Sequence, residues 1–237
     1  AQVKAYIGPD TPQPPTDVKL AYDETTQKAT LTWTAPTLGE NAGQLKPENI
    51  SYKVVTYPDM NEVADKVKET SLTVDLPSDQ PLTAYKYAVF AYNGDIKGKG
   101  RVSNKVVVGR PMEAPYSQDF STTQKFDICE VVNVNADANT WIKEGKYAKY
   151  VYNFYNKADD WLLTPPVKLK GGQDYTFSIT AKKGIDKYRE KIMLGYGEST
   201  DVTTFKSMSD SINITSMEDS LITRTVKIDH DLSLIHI

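Results

Sequence analysis

The sequence predicts an all-β chain built as two sandwiches, and three observations predict it. Apolar residues alternate with polar ones at period two in one segment after another. Turn residues rich in Pro, Gly, Asn and Asp separate these segments at short intervals. The 15 tyrosines, 13 prolines and 13 glycines, beside many Thr and Val, suit short strands and turns better than helices. A length of 237 residues allows one or two domains, each able to bury a core.

In chain order, Val3 to Ile7 reads as a short strand. It runs into Gly8-Pro9-Asp10-Thr11-Pro12-Gln13-Pro14-Pro15, whose prolines cannot continue a ladder or a helix, so a stiff linker is expected there. A strand ahead of such a linker implies that residues 1–13 are the end of a preceding domain plus the linker. The first domain is then expected over 14–109. Val18, Leu20 and Tyr22 alternate, as do Ala29, Leu31 and Trp33. Tyr52, Val54 and Thr56 follow, then Leu72, Val74 and Leu76, and Tyr85, Tyr87, Val89 and Ala91 form one face of a long strand. Asn93-Gly94-Asp95 turns the chain, with a positive φ expected at Gly94. Glu62 to Glu69 has the pattern of one helical turn, too short to stand alone.

Gly109-Arg110-Pro111 through Pro115 marks a second boundary, and 110–237 is expected as the second domain. There Asn133, Asn135, Asp137 and Asn139 alternate before Trp141. Tyr150, Tyr152 and Phe154 then share a face, which reads as core. Tyr175, Phe177 and Ile179 make a further strand, and Glu190 to Tyr196 another.

Charge and chemistry narrow the function classes. Lys and Arg total 28 against 31 Asp and Glu, a net charge of −3, and neither half of the chain is basic. A nucleic-acid partner therefore has no electrostatic footprint. No apolar run approaches the ~20 residues that span a bilayer. Cys129 is the sole cysteine, so no intrachain disulfide or thiolate cluster forms. The only histidines, His230 and His236, fall near the end, and the tail Leu232–Ile237 looks like translated adapter read-through. Asp159 and Asp160 are adjacent and point to opposite faces of a strand, a poor arrangement for acid–base work. No Gly-rich phosphate loop is present. Nothing in the sequence points to an enzyme.

Residues 14–109 resemble a fibronectin type III domain. The resemblance is carried by the prolines before Val18, by Trp33, by Tyr52-x-Val54, by Leu82-x-x-Tyr85-x-Tyr87-x-Val89-x-Ala91, and by Gly98-x-Gly100-x-x-Ser103. It implies that Tyr85 is the tyrosine-corner residue, its hydroxyl bonded to upstream backbone. The loop through which family members bind receptors holds Asn93-Gly94-Asp95 here, so a spacer role is expected. Residues from about 114 to 226 resemble the choice-of-anchor J jelly roll, related to cleaved-adhesin (gingipain adhesin) and MAM-like domains. The run Asp159 to Leu169, Gly172-x-x-Tyr175, and Glu190-Lys191-Ile192-Met193-Leu194-Gly195-Tyr196-Gly197 carry it. The last apolar strand of that family is not found, which implies a jelly roll truncated at its C-terminal end. Together the resemblances imply a segment of a secreted or cell-surface bacterial multidomain protein, serving adhesion, recognition or support of neighbouring domains. Its partners would be other domains of a longer chain and a host surface protein or glycan. A carbohydrate-binding module of a glycan-degrading enzyme, and accessory domains of a secreted peptidase, are the alternatives.

Two candidate sites follow. Asp119, Asn133, Asn135 and Asp137 offer oxygen ligands of the kind Ca²⁺ takes, and the anchor-J-like family carries a calcium site at the corresponding carboxylate and Asp-rich loop. Two Asn in that loop lower the ligand charge, and Asx-turns explain the same pattern without an ion. Tyr147 and Tyr155, within a tyrosine-rich stretch, are candidates for stacking on sugar rings.

Overall fold

The computed structural model describes residues 8–232, and the chain divides between Arg110 and Pro111 into two compact units. The strand expected at Val3–Ile7, and His236, lie outside the described residues. The described chain is all-β, with helix confined to short turns.

In the first unit, β1 (Thr16–Asp23), β2 (Lys28–Thr34) and β5 (Ser71–Asp75) form a three-stranded sheet in the order β1-β2-β5. A four-stranded sheet has the order β4-β3-β7-β8, from β3 (Ile50–Thr56), β4 (Glu62–Val67), β7 (Tyr87–Asn93) and β8 (Ile96–Val102). β6 (Thr83–Tyr85) pairs with β9 (Val106–Val108). Because side chains alternate across a strand, the apolar positions read from the sequence arrive on one face. Val18, Leu20, Leu31 and Trp33 meet Tyr52, Val54, Val89 and Ala91 in a single buried cluster. Trp33 and Tyr52 pack edge to face at 5.1 Å. Gly94 makes the turn between β7 and β8 at φ +61°.

Three details differ from the sequence expectation. Glu62 to Val67 is strand, not helical turn, because β3 supplies it with a ladder. The Pro-rich segment is held against the first unit. Asp10 is 5% exposed, Pro12 and Pro15 are fully buried, and Pro12 bridges Gly39. The Asp10 carboxylate accepts from Asn41 N (3.0 Å), Asn41 Nδ2 (2.9 Å) and Gly43 N (3.0 Å), and Asn93 Nδ2 donates to its carbonyl (2.9 Å). A Cβ on Gly39 would stand 2.3 Å from Asp10 Cγ, so the socket closes only around a glycine. Finally, the Tyr85 hydroxyl makes no hydrogen bond among the described residues. Tyr22 OH instead donates to Leu76 O at 3.0 Å, tying β1 to the end of β5.

The second unit is a set of strand pairs. β10 (Met112–Glu113) runs parallel to β15 (Val167–Lys168), and a short helix α1 (Thr123–Asp127) follows β10. β11 (Glu130–Asn133) pairs with β14 (Asp160–Leu163), and β12 (Trp141–Glu144) with β13 (Tyr147–Tyr150). The longest pair joins β16 (Gln173–Ala181) to β21 (Ser220–Ile228) over nine residues. The strand expected over Glu190–Tyr196 is broken into β17 (Glu190–Ile192) and β18 (Gly195–Tyr196). These pair with β20 (Ile212–Ile214) and β19 (Lys206–Ser207) respectively. Val167, Leu169, Ile228 and Leu232 form its buried cluster, with Tyr175 and Val226 packed on it.

Two outcomes are expected in the first unit. Removing the Tyr22 hydroxyl (Tyr22→Phe) should cost about 0.5–1.5 kcal/mol in denaturant unfolding, one hydrogen bond's net value, while Tyr85→Phe should leave the midpoint within experimental error. Burial alone would raise the Asp10 carboxyl, but Asn41 and the N–H groups of Gly43, Asn41 and Thr11 outweigh it and hold it below the usual carboxylate value. A lowered folded-state value contributes stability above the unfolded value near 3.8, lost as pH falls through the folded one. Asp10→Asn should therefore flatten the acid limb of the stability–pH curve of this unit.

Candidate functional site

Two loops of the second unit leave its strands at the same end. One joins β11 to β12 and the other joins β13 to β14. Their anchor points coincide because Asn133 pairs with Asp160 and Trp141 pairs with Tyr150. Trp141 Nε1 donates to Asp160 O (3.2 Å), Tyr150 OH donates to Asp160 Oδ2 (3.1 Å), and the two rings pack at 5.5 Å. Burial, then the charge of Asp160, pushes the Tyr150 phenol up to about 12.

Asp137 is the knot between the loops. Its Oδ1 accepts from Asn139 N (2.7 Å), and its Oδ2 accepts from Asn153 Nδ2 (2.8 Å) and Asn156 Nδ2 (3.2 Å) across the gap. Asn139 Nδ2 reaches Tyr152 O (2.9 Å) and Asn135 Nδ2 reaches Lys157 O (2.8 Å). Backbone bonds Val134 N to Asp159 O and Val151 N to Thr140 O, both 3.1 Å, close the neck. The Asn139 N–H first, with the Asn156, Asn153 and Asn135 amides, holds the Asp137 carboxyl below its usual value against its partial burial.

The tied loop carries exposed aromatic rings. Tyr152 is 56% exposed, Phe154 74% and Tyr155 96%. Phe154 stands edge-on to Tyr152 at 4.9 Å, and Tyr188, from the segment before β17, lies nearly parallel to Tyr152 at 6.3 Å. This corrects the expectation that Tyr150, Tyr152 and Phe154 share a core face. β13 ends at Tyr150, so period-two alternation stops where the ladder stops.

The predicted site residues are thus distributed as follows. Asn133, Asn135 and Asp137 come together in the knot, where Asn133 Nδ2 donates to Asp137 O and Asp137 N donates to Asn135 Oδ1. Asp119 is engaged elsewhere, accepting from Lys125 Nζ (2.5 Å) and Ser121 N (2.8 Å), and the Lys125 ammonium holds its carboxyl well below the carboxylate range. Of the four, only Asn133 keeps a side-chain oxygen without a partner. In this arrangement Lys125 is paired with Asp119, and Asn139, Asn153 and Asn156 donate to the Asp137 carboxylate. Among the described residues, no three His, Cys, Asp or Glu are grouped to hold a metal. Tyr155 follows Phe154 on the same exposed loop. Tyr147 is engaged outside it, its hydroxyl accepting from Lys182 Nζ (3.2 Å) and donating to Asp219 Oδ2 (3.4 Å). Phe154, Tyr152 and Tyr188 are members that the sequence reading missed; the Asn-rich flanks of residues 152–156 were the available signal.

Elsewhere in this unit, His230 Nε2 lies 3.1 Å from Glu198 Oε1 beside a recess of about 240 Å³ lined also by Tyr196, Thr204 and Lys206. Both members of that pair are largely exposed.

Comparison with known proteins bears on the first unit. The family model for the fibronectin type III domain matches residues 13–108. Those residues are a fibronectin type III domain. Solved structures to which the chain is similar include the twitchin kinase region from C. elegans, at 17% identity and TM-score 0.32. That match covers 42% of this chain and 17% of the twitchin chain. An Fn3-like protein from Clostridium thermocellum is 21% identical, at TM-score 0.29, with 41% of this chain and 92% of that one covered. The chicken CNTN1 FN1-FN3 domains are 13% identical, at TM-score 0.30, with 94% and 59% covered. No curated protein matches the chain. A fibronectin type III domain is typically a non-catalytic module of a larger chain.

Removing the knot should free the aromatic loop. In Asp137→Ala, amide hydrogen exchange over residues 151–158 is expected to rise while the fibronectin type III domain keeps its protection. Melting curves in millimolar calcium and in chelator should coincide for the second unit. A calcium-dependent rise would show that an ion binds the folded second unit.

Proposed function

We propose that this chain is a non-catalytic segment of an extracellular multidomain protein. In this reading the fibronectin type III domain is a spacer and the second unit is a recognition domain. The observation that carries the reading is the exposed cluster of Tyr152, Phe154 and Tyr155 on a loop tied down by Asp137. Exposed aromatic rings cost hydration free energy, and an ordered group of them is the usual mark of a binding surface. Fixing the loop in advance lowers the ordering cost of association. The resemblance of residues 114–226 to the choice-of-anchor J and cleaved-adhesin jelly rolls supports recognition, since those domains follow fibronectin-like modules in surface proteins. Among the described residues no helix is long and apolar enough to cross a membrane. The spacer assignment is supported by the turn at Asn93-Gly94-Asp95, whose geometry serves the β7–β8 hairpin.

The test uses surfaces coated with mucin, collagen or laminin. The whole chain should be retained on at least one of them. The Phe154→Ala/Tyr155→Ala pair should abolish retention with unchanged melting, because both side chains are exposed. Retention indifferent to the double substitution, or absent from these surfaces and from the oligosaccharides tested below alike, would overturn the recognition reading.

A further inference from the structure

We infer that the aromatic cluster of the second unit binds a neutral glycan, stacking pyranose faces on Phe154 and Tyr155. This rests on the recognition reading above and names its ligand class. Three observations lead to it. First, the two most exposed rings sit on one loop, with Phe154 braced edge-on by Tyr152, and Tyr152 covered in turn by Tyr188. Rings as exposed as Phe154 and Tyr155 leave a π-face open to solvent, whose negative quadrupole attracts the C–H groups on the apolar side of a sugar ring.

Second, the rings are flanked by carboxamides. Asn153 and Asn156 each commit one amide hydrogen to Asp137, and a carboxamide carries two. Each keeps a second N–H, and Asn156 is exposed beside Tyr155. Aromatic faces edged by amide donors suit a ligand that is apolar on its faces and hydroxylated at its rim. An aliphatic protein patch would leave those donors unpaired at a cost.

Third, charge around the rings is close to balance. In the two segments that bear them, Lys183 is paired with Asp186 (3.2 Å), Lys157, Lys187 and Arg189 are accompanied by Asp159 and Glu190, and the one carboxylate at the knot, Asp137, is taken up by donors. A sulfated or uronate-rich polymer finds no cationic cluster here. Asp137 is then a positioning residue: it touches no ligand but fixes the backbone from which Phe154 and Tyr155 project.

The experiment is an array of neutral gluco-, galacto-, manno- and xylo-oligosaccharides beside sulfated and uronate oligosaccharides, probed with the whole chain. At least one neutral series should bind, more tightly with increasing length and with little dependence on salt. Phe154→Ala and Tyr155→Ala should each weaken it about tenfold or more. Tyr155→Phe should retain binding, because the face and not the hydroxyl is used, and Tyr147→Ala should leave it unchanged. A blank neutral series at millimolar concentration, binding confined to the charged series, or binding indifferent to both alanine variants would each overturn the inference. A blank array with Tyr155-dependent retention on coated protein surfaces would remove the glycan and leave the recognition reading standing. Loss of both would remove both.

Discussion

A loop that leaves a sheet strands its polar groups, and unless water reaches them each needs a partner from within the chain. In this protein single carboxylates meet that need. Asp10 gathers the amides of the loop around Gly39 to Gly43 and so fastens the segment before β1 to the first sandwich. Asp137 gathers Asn139, Asn153 and Asn156 and so fastens two loops of the second unit to each other. Both carboxyls are held below their usual value by the donors they collect, and both therefore weaken in acid. What differs is what the fastening serves. The Asp10 socket makes a stretch of prolines part of a domain, whereas the Asp137 knot holds aromatic rings out in solvent.

In the reading proposed above, that difference separates a spacer from a recognition surface. In the fibronectin type III domain the aromatic rings of Trp33, Tyr52 and Tyr87 are buried, and their energy goes into the core. In the second unit, Phe154 and Tyr155 are not repaid by burial within their own unit. A chain that keeps such rings exposed and then orders the backbone beneath them bears two costs, exposed apolar area and loop entropy. In the proposed recognition role both are recovered when a ligand covers the rings; neither is recovered by the fold alone.

The sandwich of the first unit was legible because one rule sufficed. Period-two alternation at Val18–Tyr22, Ala29–Trp33 and Tyr52–Val54 maps directly onto buried faces once the strands pair. The same rule failed at Tyr150, Tyr152 and Phe154. Alternation in sequence continues there, but no partner strand does, and alternation has structural meaning only inside a ladder. The rule was silent at Asp10 as well. Proline content identifies a segment unable to join a sheet but says nothing of whether a neighbouring loop offers donors to its one carboxylate. Glu62–Val67 shows the opposite case, in which weak local preference yields to the edge of β3.

Asn133, Asn135 and Asp137 were singled out as oxygen-bearing side chains at alternate positions, and the structure does bring them together. Oxygen-bearing side chains at alternate positions do converge, and convergence is what a hard cation requires. But each carboxamide brings a donor along with its oxygen, and here the donors arrive first: Asn153 and Asn156 fill the Asp137 carboxylate, while Lys125 fills Asp119. An all-carboxylate loop would repel itself and need a cation to close. Exchanging carboxylates for amides supplies the counter-dipoles from within, so the loop closes without external charge. The same exchange leaves spare amide hydrogens next to Tyr155. A loop assembled in this way is closed by its own hydrogen bonds and edges its rings with donors, and both properties follow from its asparagines.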